Sequence, residues 1–543
     1  MHLGYRGGRQ ADDDSLVEER AGGEAAAASP ARVDARRRVS GWQVAAAVVV
    51  ATGITVRFTA RSHLWLDEAL SVNIARLPLG RIPAALRHDG APPLYYVLLH
   101  AWMSVFGTGT IAVRALSGVF SVASFPLVWI AGRRVGGRRV AAAATLLFAA
   151  SPFAVRYGTE TRMYSLLTLL ALGGWLAMGD LLRRFSWSRA LAVAGVTAAL
   201  LYTHYWSIYL LAVAAGVVVR RAFKGPRRDE ARRALGAMAA GGALFLPWAP
   251  SFLFQLRHTG TPWAGAATPR VLFDTVFQFA GGFWDPGFVL GLLSWLLIVF
   301  ALFGRPVDGR RIELDLRTRP EGRLLFLAGF GTLAVAVVAG AVTRSAFAVR
   351  YASVLFPFLL LLVALGTEAL ADVRVFRATV AVAVVLGFIA IVPNVVGDRT
   401  TAPKVAAILR AQGRPGDVVA YCPDQLGPAV SRLLGPKTGL VQLTFPGAGT
   451  PDRVDWVDYQ ARNHAATTAP FTSMLLERAG PDHTIWLVWS PDYRTFGTKC
   501  TALGDRLQAA RPDIDRVLKI QTRYSEHPGL IRYRPGRQPP AGT

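Results

Sequence analysis

Long apolar runs recur from Trp42 to Asn394, and clusters of arginine separate them. A run of about 20 apolar residues crosses the hydrocarbon core of a bilayer. Arginine collects in the loops that stay cytoplasmic. The pattern predicts an α-helical polytopic membrane protein. Hydrophobic residues make up 52% of the 543, which excludes a disordered chain. The net charge of +25 is no nucleic-acid signature, because the basic residues lie in short runs between apolar segments. There they face anionic headgroups, so membrane lipids are expected partners and nucleic acid is not.

Residues 1–41 read as a disordered cytoplasmic tail containing Arg36-Arg37-Arg38. Residues 42–397 read as a transmembrane domain of about eleven helices, interrupted by one large external loop over 61–111. That loop is expected to carry two surface helices, one starting near Leu66 and one near Pro92. The strongest cytoplasmic signal is Arg133-Arg134-Val135-Gly136-Gly137-Arg138-Arg139, which divides two spans. Two short helices should meet near Tyr202-Thr203-His204-Tyr205-Trp206, a break tolerated at membrane depth where it lines a cavity. The arginine pattern puts the N-terminus inside and the C-terminus outside the cell membrane. From 398 to 543 the composition becomes that of a small extracytoplasmic α/β domain. Gly416–Cys422 and Thr484–Trp489 read as strands; Lys404–Gln412, Leu426–Leu434 and Phe471–Ala479 read as helices. Cys422 and Cys500 either pair in an oxidising compartment or remain thiols; the sequence leaves both open.

The chemistry concentrates at Trp65-Leu66-Asp67-Glu68, just beyond the first span. Acids also gather at solvated helix N-termini, but other polar residues are expected on the same membrane face. A carboxylate there supplies a general base, and Asp67 is assigned that role with Glu68 supporting it by a hydrogen bond or by shaping the site. Arg114, Arg162 and Arg350 are expected at this face, where arginine binds phosphate in a bidentate way. Arg156 reads as a headgroup anchor. His204 is a candidate phosphate or sugar contact, Trp65 and Tyr96 are candidates to stack on a sugar, and His88 and Asp89 are candidates to shape acceptor entry. Glu160 is a further substrate-site acid and the second candidate base. No cofactor is demanded; a divalent cation on Asp67 and Glu68 is chemically admissible, but no acidic cluster has the ligand count.

The order Trp65-Leu66-Asp67-Glu68, Pro92-Pro93-Leu94-Tyr95-Tyr96, Ala112-Val113-Arg114, Glu160-Thr161-Arg162-Met163-Tyr164 resembles the bacterial branch of glycosyltransferase family 39. These are GT-C fold enzymes related to protein O-mannosyltransferases and to the lipid A aminoarabinose transferase. The resemblance is strongest over 64–182 and weaker through Tyr351. It implies inverting transfer of a sugar from a polyprenyl-phosphate carrier to a glycan, lipid or protein acceptor of the cell envelope, with Asp67 as base. It further implies that Arg350-Tyr351 contact the carrier phosphate. Mannose is the expected sugar, arabinose the other carrier sugar of an actinobacterium-like cell. Relatives often have His before the double proline, and Ala91 stands there instead. Two rival readings are a transporter or flippase of lipid-linked sugar, and a non-catalytic scaffold whose external domain binds cell-wall polymer. No internal repeat supports the first.

Overall fold

The computed structural model describes residues 40–260, 265–266, 268–307, 311–343, 346–491 and 493–535. The tail read over 1–41 lies outside the described residues up to 39, as do Trp263 and Arg344.

The chain opens with α1 (Gly41–Val56), followed by three short helices, α2 (Leu66–Ala75), α3 (Ile82–Asp89) and α4 (Leu94–Phe106). The next apolar stretch is α5 (Thr110–Ala149), which loses helical geometry at Gly136 and at Gly137, with φ 74°. That left-handed backbone suits glycine. A Cβ on Gly136 would also lie 2.2 Å from Glu368 Oε1. The break falls within the arginine cluster that the sequence marks as a loop between two spans. Then come α6 (Pro152–Gly158), α7 (Tyr164–Arg183), α8 (Trp187–Thr203), α9 (Ser207–Lys224), α10 (Arg228–Ala243) and α11 (Ala249–His258). The expected helix pair does meet at 204–206. Six segments are long and apolar enough to cross a membrane: Thr110–Ala149, Tyr164–Arg183, Arg228–His258, Asp285–Phe303, Pro320–Val342 and Val373–Val396. The protein is a multi-pass membrane protein.

After Val396 the chain forms an α/β portion. Its five strands are β1 (Val418–Cys422), β2 (Val441–Thr444), β3 (Ile485–Trp489), β4 (Ile514–Leu518) and β5 (Gly529–Tyr533). They lie in the order β2-β1-β3-β5-β4, with β1 parallel to β2 and β3, and β5 antiparallel to β3 and β4. The two strands read from sequence are β1 and β3, buried on both faces. The three expected helices are present, as Ala402–Gln412, Gly427–Leu434 and Thr468–Ala479. Cys422 and Cys500 form a disulfide, with their Cα atoms 5.4 Å apart.

One helix joins the two portions. Nine of the ten residues of α2 are buried, so the expected surface helix is an interior one. Leu66 and Leu70 pack into the apolar core of the sheet with Cys422, Phe445 and Phe471. Val72, Ile74 and Ala75 pack instead with Tyr95, Tyr96 and Leu99 of α4. Burying a leucine contributes roughly 1.5–3 kcal/mol, so the α/β portion as well as the membrane helices holds α2 in place.

Candidate active site

The acids occupy the first turn of α2, after an extended Trp65. The N-terminal end of a helix dipole favours negative charge there. Consecutive positions on a helix diverge by about 100°, so the two side chains enter different surroundings.

Glu68 points inward and is fully buried. Arg114 Nε and Nη2 donate to its two carboxylate oxygens at 2.7 and 2.6 Å, and the Thr161 amide donates at 3.0 Å. Burial alone would raise this carboxyl, but Arg114, then Arg399 and the Thr161 N–H, hold it below the ordinary range. Arg114 has no donors left over for a substrate: it also donates to the carbonyls of Ser62 and, at 3.2 Å, His63. The expected phosphate contact at Arg114 is therefore corrected to an internal ion pair. Glu68 likewise hydrogen-bonds Arg114 and Thr161, not Asp67.

Glu160 lies beside this pair, 1% exposed, with Arg156 Nε 3.2 Å and Arg399 Nη1 3.7 Å from Oε2. Burial raises its carboxyl against the pull of Arg156 and Arg399, and Glu68 and Asp67 push the same way. Arg156, read as a headgroup anchor, is thus an internal partner, and Glu160 presents no open face to a substrate. Arg399 comes from the first residues of the α/β portion and bridges both acids, 3.8 Å from Glu68 Oε2. No sequence signal singled it out.

Asp67 faces the other way. Its side chain keeps 12% exposure, and Arg350 Nη1 lies 3.1 Å from Oδ2. Arg162 Nη1 donates to Ser71 Oγ at 3.1 Å and reaches Tyr96 Oη at 3.4 Å. Burial opposes the charge of both guanidiniums, but Asp67 and the neighbouring tyrosines keep each firmly protonated. The His204 ring centroid is 5.2 Å from that of Tyr351 and 6.0 Å from that of Tyr164. Burial, then Arg162 and Arg350, push His204 down to about 3, so it is neutral. Its Nδ1 accepts the Trp206 N–H at 3.1 Å. That assigns the proton to Nε2, a hydrogen-bond donor. The structure so gathers Asp67, Arg162, His204, Arg350 and Tyr351.

The remaining candidates lie at the edge of this group or beyond it. Tyr96 is fully buried and donates to Asp89 Oδ2 at 2.9 Å, so its ring has no free face for a sugar. His88 pairs with Asp455 at 3.0 Å, stitching α3 to the α/β portion. Among the described residues, no group of three or more His, Cys, Asp or Glu could hold a metal ion.

Residues 90–249 match the family model described as dolichyl-phosphate-mannose-protein mannosyltransferase. No curated protein matches the sequence. Among solved structures, ArnT from Cupriavidus metallidurans in the apo state superposes with a TM-score of 0.56 at 14% identity, covering 92% of this chain and 99% of that one. The same protein bound to undecaprenyl phosphate gives 0.55, with the same identity and coverage. The Archaeoglobus fulgidus oligosaccharyltransferase tethered to an acceptor peptide gives 0.44 at 10% identity, covering 86% of this chain and 72% of that one. The ArnT likeness establishes the architecture, and the family match falls on the segment that carries Arg114, Glu160, Arg162 and His204. The chain is a multi-pass membrane glycosyltransferase with the GT-C fold.

Proposed function

We propose that the protein moves a sugar, mannose, from a polyprenyl-phosphate carrier to an acceptor of the cell envelope, with inversion and with Asp67 as general base. The observation that carries this reading is the unequal treatment of the two neighbouring acids. Glu68 is sealed by Arg114, whereas Asp67 keeps partial exposure among cations suited to a phosphate. The match to a mannosyltransferase family and the shared fold with a protein that binds undecaprenyl phosphate support the choice of donor.

In the proposed reaction Asp67 removes the proton of the acceptor hydroxyl. The oxygen attacks the anomeric carbon from the face opposite the carrier, and the bond to the phosphate oxygen breaks with its electrons. Arg350 and Arg162 meet the charge left on the phosphate, and His204 donates through Nε2. Arg350 serves Asp67 until a phosphate competes for it, so donor binding would free the base. The reaction takes place at the outer face of the cell membrane. About eleven spans place the N-terminus inside and residues 398–543, an acceptor-facing domain, outside.

The test is transfer from labelled polyprenyl-phosphate mannose, with the arabinose carrier beside it, by the purified protein in nanodiscs. Asp67→Asn should bind donor and fail to transfer. Retention of near wild-type turnover by that variant would reject Asp67 as base, and use of the arabinose carrier alone would reject mannose.

A further inference from the structure

Arg399 is 3% exposed and lies between two acids that are themselves sealed from water, Glu68 and Glu160. It is built in from several directions. Its backbone N–H donates to Ser62 Oγ at 2.8 Å. Its guanidinium donates to the Thr159 carbonyl at 3.0 Å and to Thr159 Oγ1 at 2.7 Å. Its carbonyl accepts the N–H of Glu526 at 3.0 Å. The charged groups facing it are Glu68 from α2, Arg114 from α5, Arg156 from α6 and Glu160 from the turn after α6. Arg114 is committed to Glu68, and Arg156 reaches Glu160 from one side. Among the described residues, Glu68 without Arg399 would keep Arg114 and Glu160 would keep Arg156, with no cation bridging the two acids.

We infer that Arg399 is a positioning residue: it balances Glu68 and Glu160 from the α/β portion and so sets the first turn of α2, with Asp67 on it, in its working place. Arg399 makes no contact with substrate; it acts through Glu68, the residue next to the base. The α/β portion thereby takes part in the catalytic geometry and does more than present an acceptor. The inference rests on the proposed role of Asp67, but its charge-balance half does not.

The experiment uses the full-length protein in nanodiscs with Arg399→Gln, Arg399→Lys and Thr159→Val, the last weakening the anchor while leaving the charge. Two readouts are taken from pH 5 to 9: the thermal midpoint, and the rate of sugar transfer from polyprenyl-phosphate mannose. Loss of a buried cation disfavours the ionised acids, so the midpoint gap between wild type and Arg399→Gln should widen as pH rises. An opposite charge within about 4–6 Å shifts a carboxylate by 1–3 units. Arg399 lies within that range of Glu68 and Glu160, so in Arg399→Gln both acids should take up a proton at higher pH. Transfer, which on this inference needs Glu68 ionised to hold the first turn of α2, should show its acid limb about one unit higher, with a roughly tenfold lower rate there. The KM for donor should stay within about twofold, because no donor contact is lost. Arg399→Lys should restore most of the limb, and Thr159→Val should show a smaller shift in the same direction. A midpoint gap independent of pH, or a limb that stays in place in both Arg399→Gln and Thr159→Val, would overturn the inference. Should Arg399→Gln not fold, Thr159→Val alone decides by the same two readouts. Inactive wild-type protein would count against the proposed reaction, and the midpoint gap would still judge the charge balance.

Discussion

Asp67 and Glu68 are chemically near-identical neighbours placed in opposite circumstances. Glu68 has a bidentate guanidinium, a backbone amide and a second arginine, all out of water. Asp67 has one arginine and an edge open to solvent. A buried carboxylate held by three hydrogen bonds and a second cation is a poor base, since its charge is already stabilised and its oxygens are closed to an acceptor. A partly exposed one beside a cation that can be drawn away is a usable base. On the proposed reaction, the pair divides into an acid that holds the site together and an acid that is available to react.

That division breaks if the two acids respond alike to loss of charge. Asp67→Asn should lower turnover by about 10²–10⁴-fold, the usual contribution of a general base, while the thermal midpoint stays near wild type. Glu68→Gln should do the reverse. It leaves Arg114 buried and half-paired, which costs roughly 3–5 kcal/mol of stability, seen as a large fall in midpoint with a smaller loss of turnover per folded molecule. Equal midpoints for the two variants would erase the distinction.

Arg350→Ala sharpens the comparison on the open side. It removes the cation proposed for the carrier phosphate, worth about 2–5 kcal/mol when desolvated, so the KM for donor should rise at least tenfold. Unchanged donor kinetics would remove Arg350 from the phosphate site. A pH measurement probes the sealed side. Burial raises Glu526 to about 8, against the pull of Thr400 and Leu66. Its folded pKa lies above the unfolded value of about 4.3. It therefore favours the folded state fully below that value, and the benefit drains away as pH rises towards 8. Wild-type midpoint should decline across that window, and Glu526→Gln should flatten the decline. The smallest effect is expected from Tyr96→Phe, which takes a hydrogen bond from Asp89 and a 3.4 Å contact from Arg162, costing about 1–3 kcal/mol of stability with a far smaller fall in turnover than Asp67→Asn.

What the sequence made legible follows from how local each signal is. Six of the about eleven expected spans, the glycine break inside an arginine cluster and the helix pair around His204 are written in short windows of apolarity and charge. Asp67 and Glu68 draw attention because an acid pair after an apolar run stands out. The partners could not. Arg114 reads as a cation near a helix start, and nothing nearby says that a glutamate 46 residues earlier claims it. Arg399 meets Ser62 across 337 residues. The burial of α2 was missed because both of its faces are covered, by Tyr95 and Tyr96 on one side and the sheet core on the other. A helix covered twice carries little one-sided pattern.

The double packing of α2 also has a consequence in time. Leu66 and Leu70 are made early, but the strand they rest on begins at Val418, about 350 residues later. At roughly 5–20 residues per second of synthesis, the acid-bearing helix waits on the order of 20–70 s for its other half. A chain cut short during that interval carries Asp67 with no floor beneath it and no Arg399 beside Glu68. On the proposed reaction, truncated translation products would therefore sit in the membrane unable to consume donor before the molecule is complete.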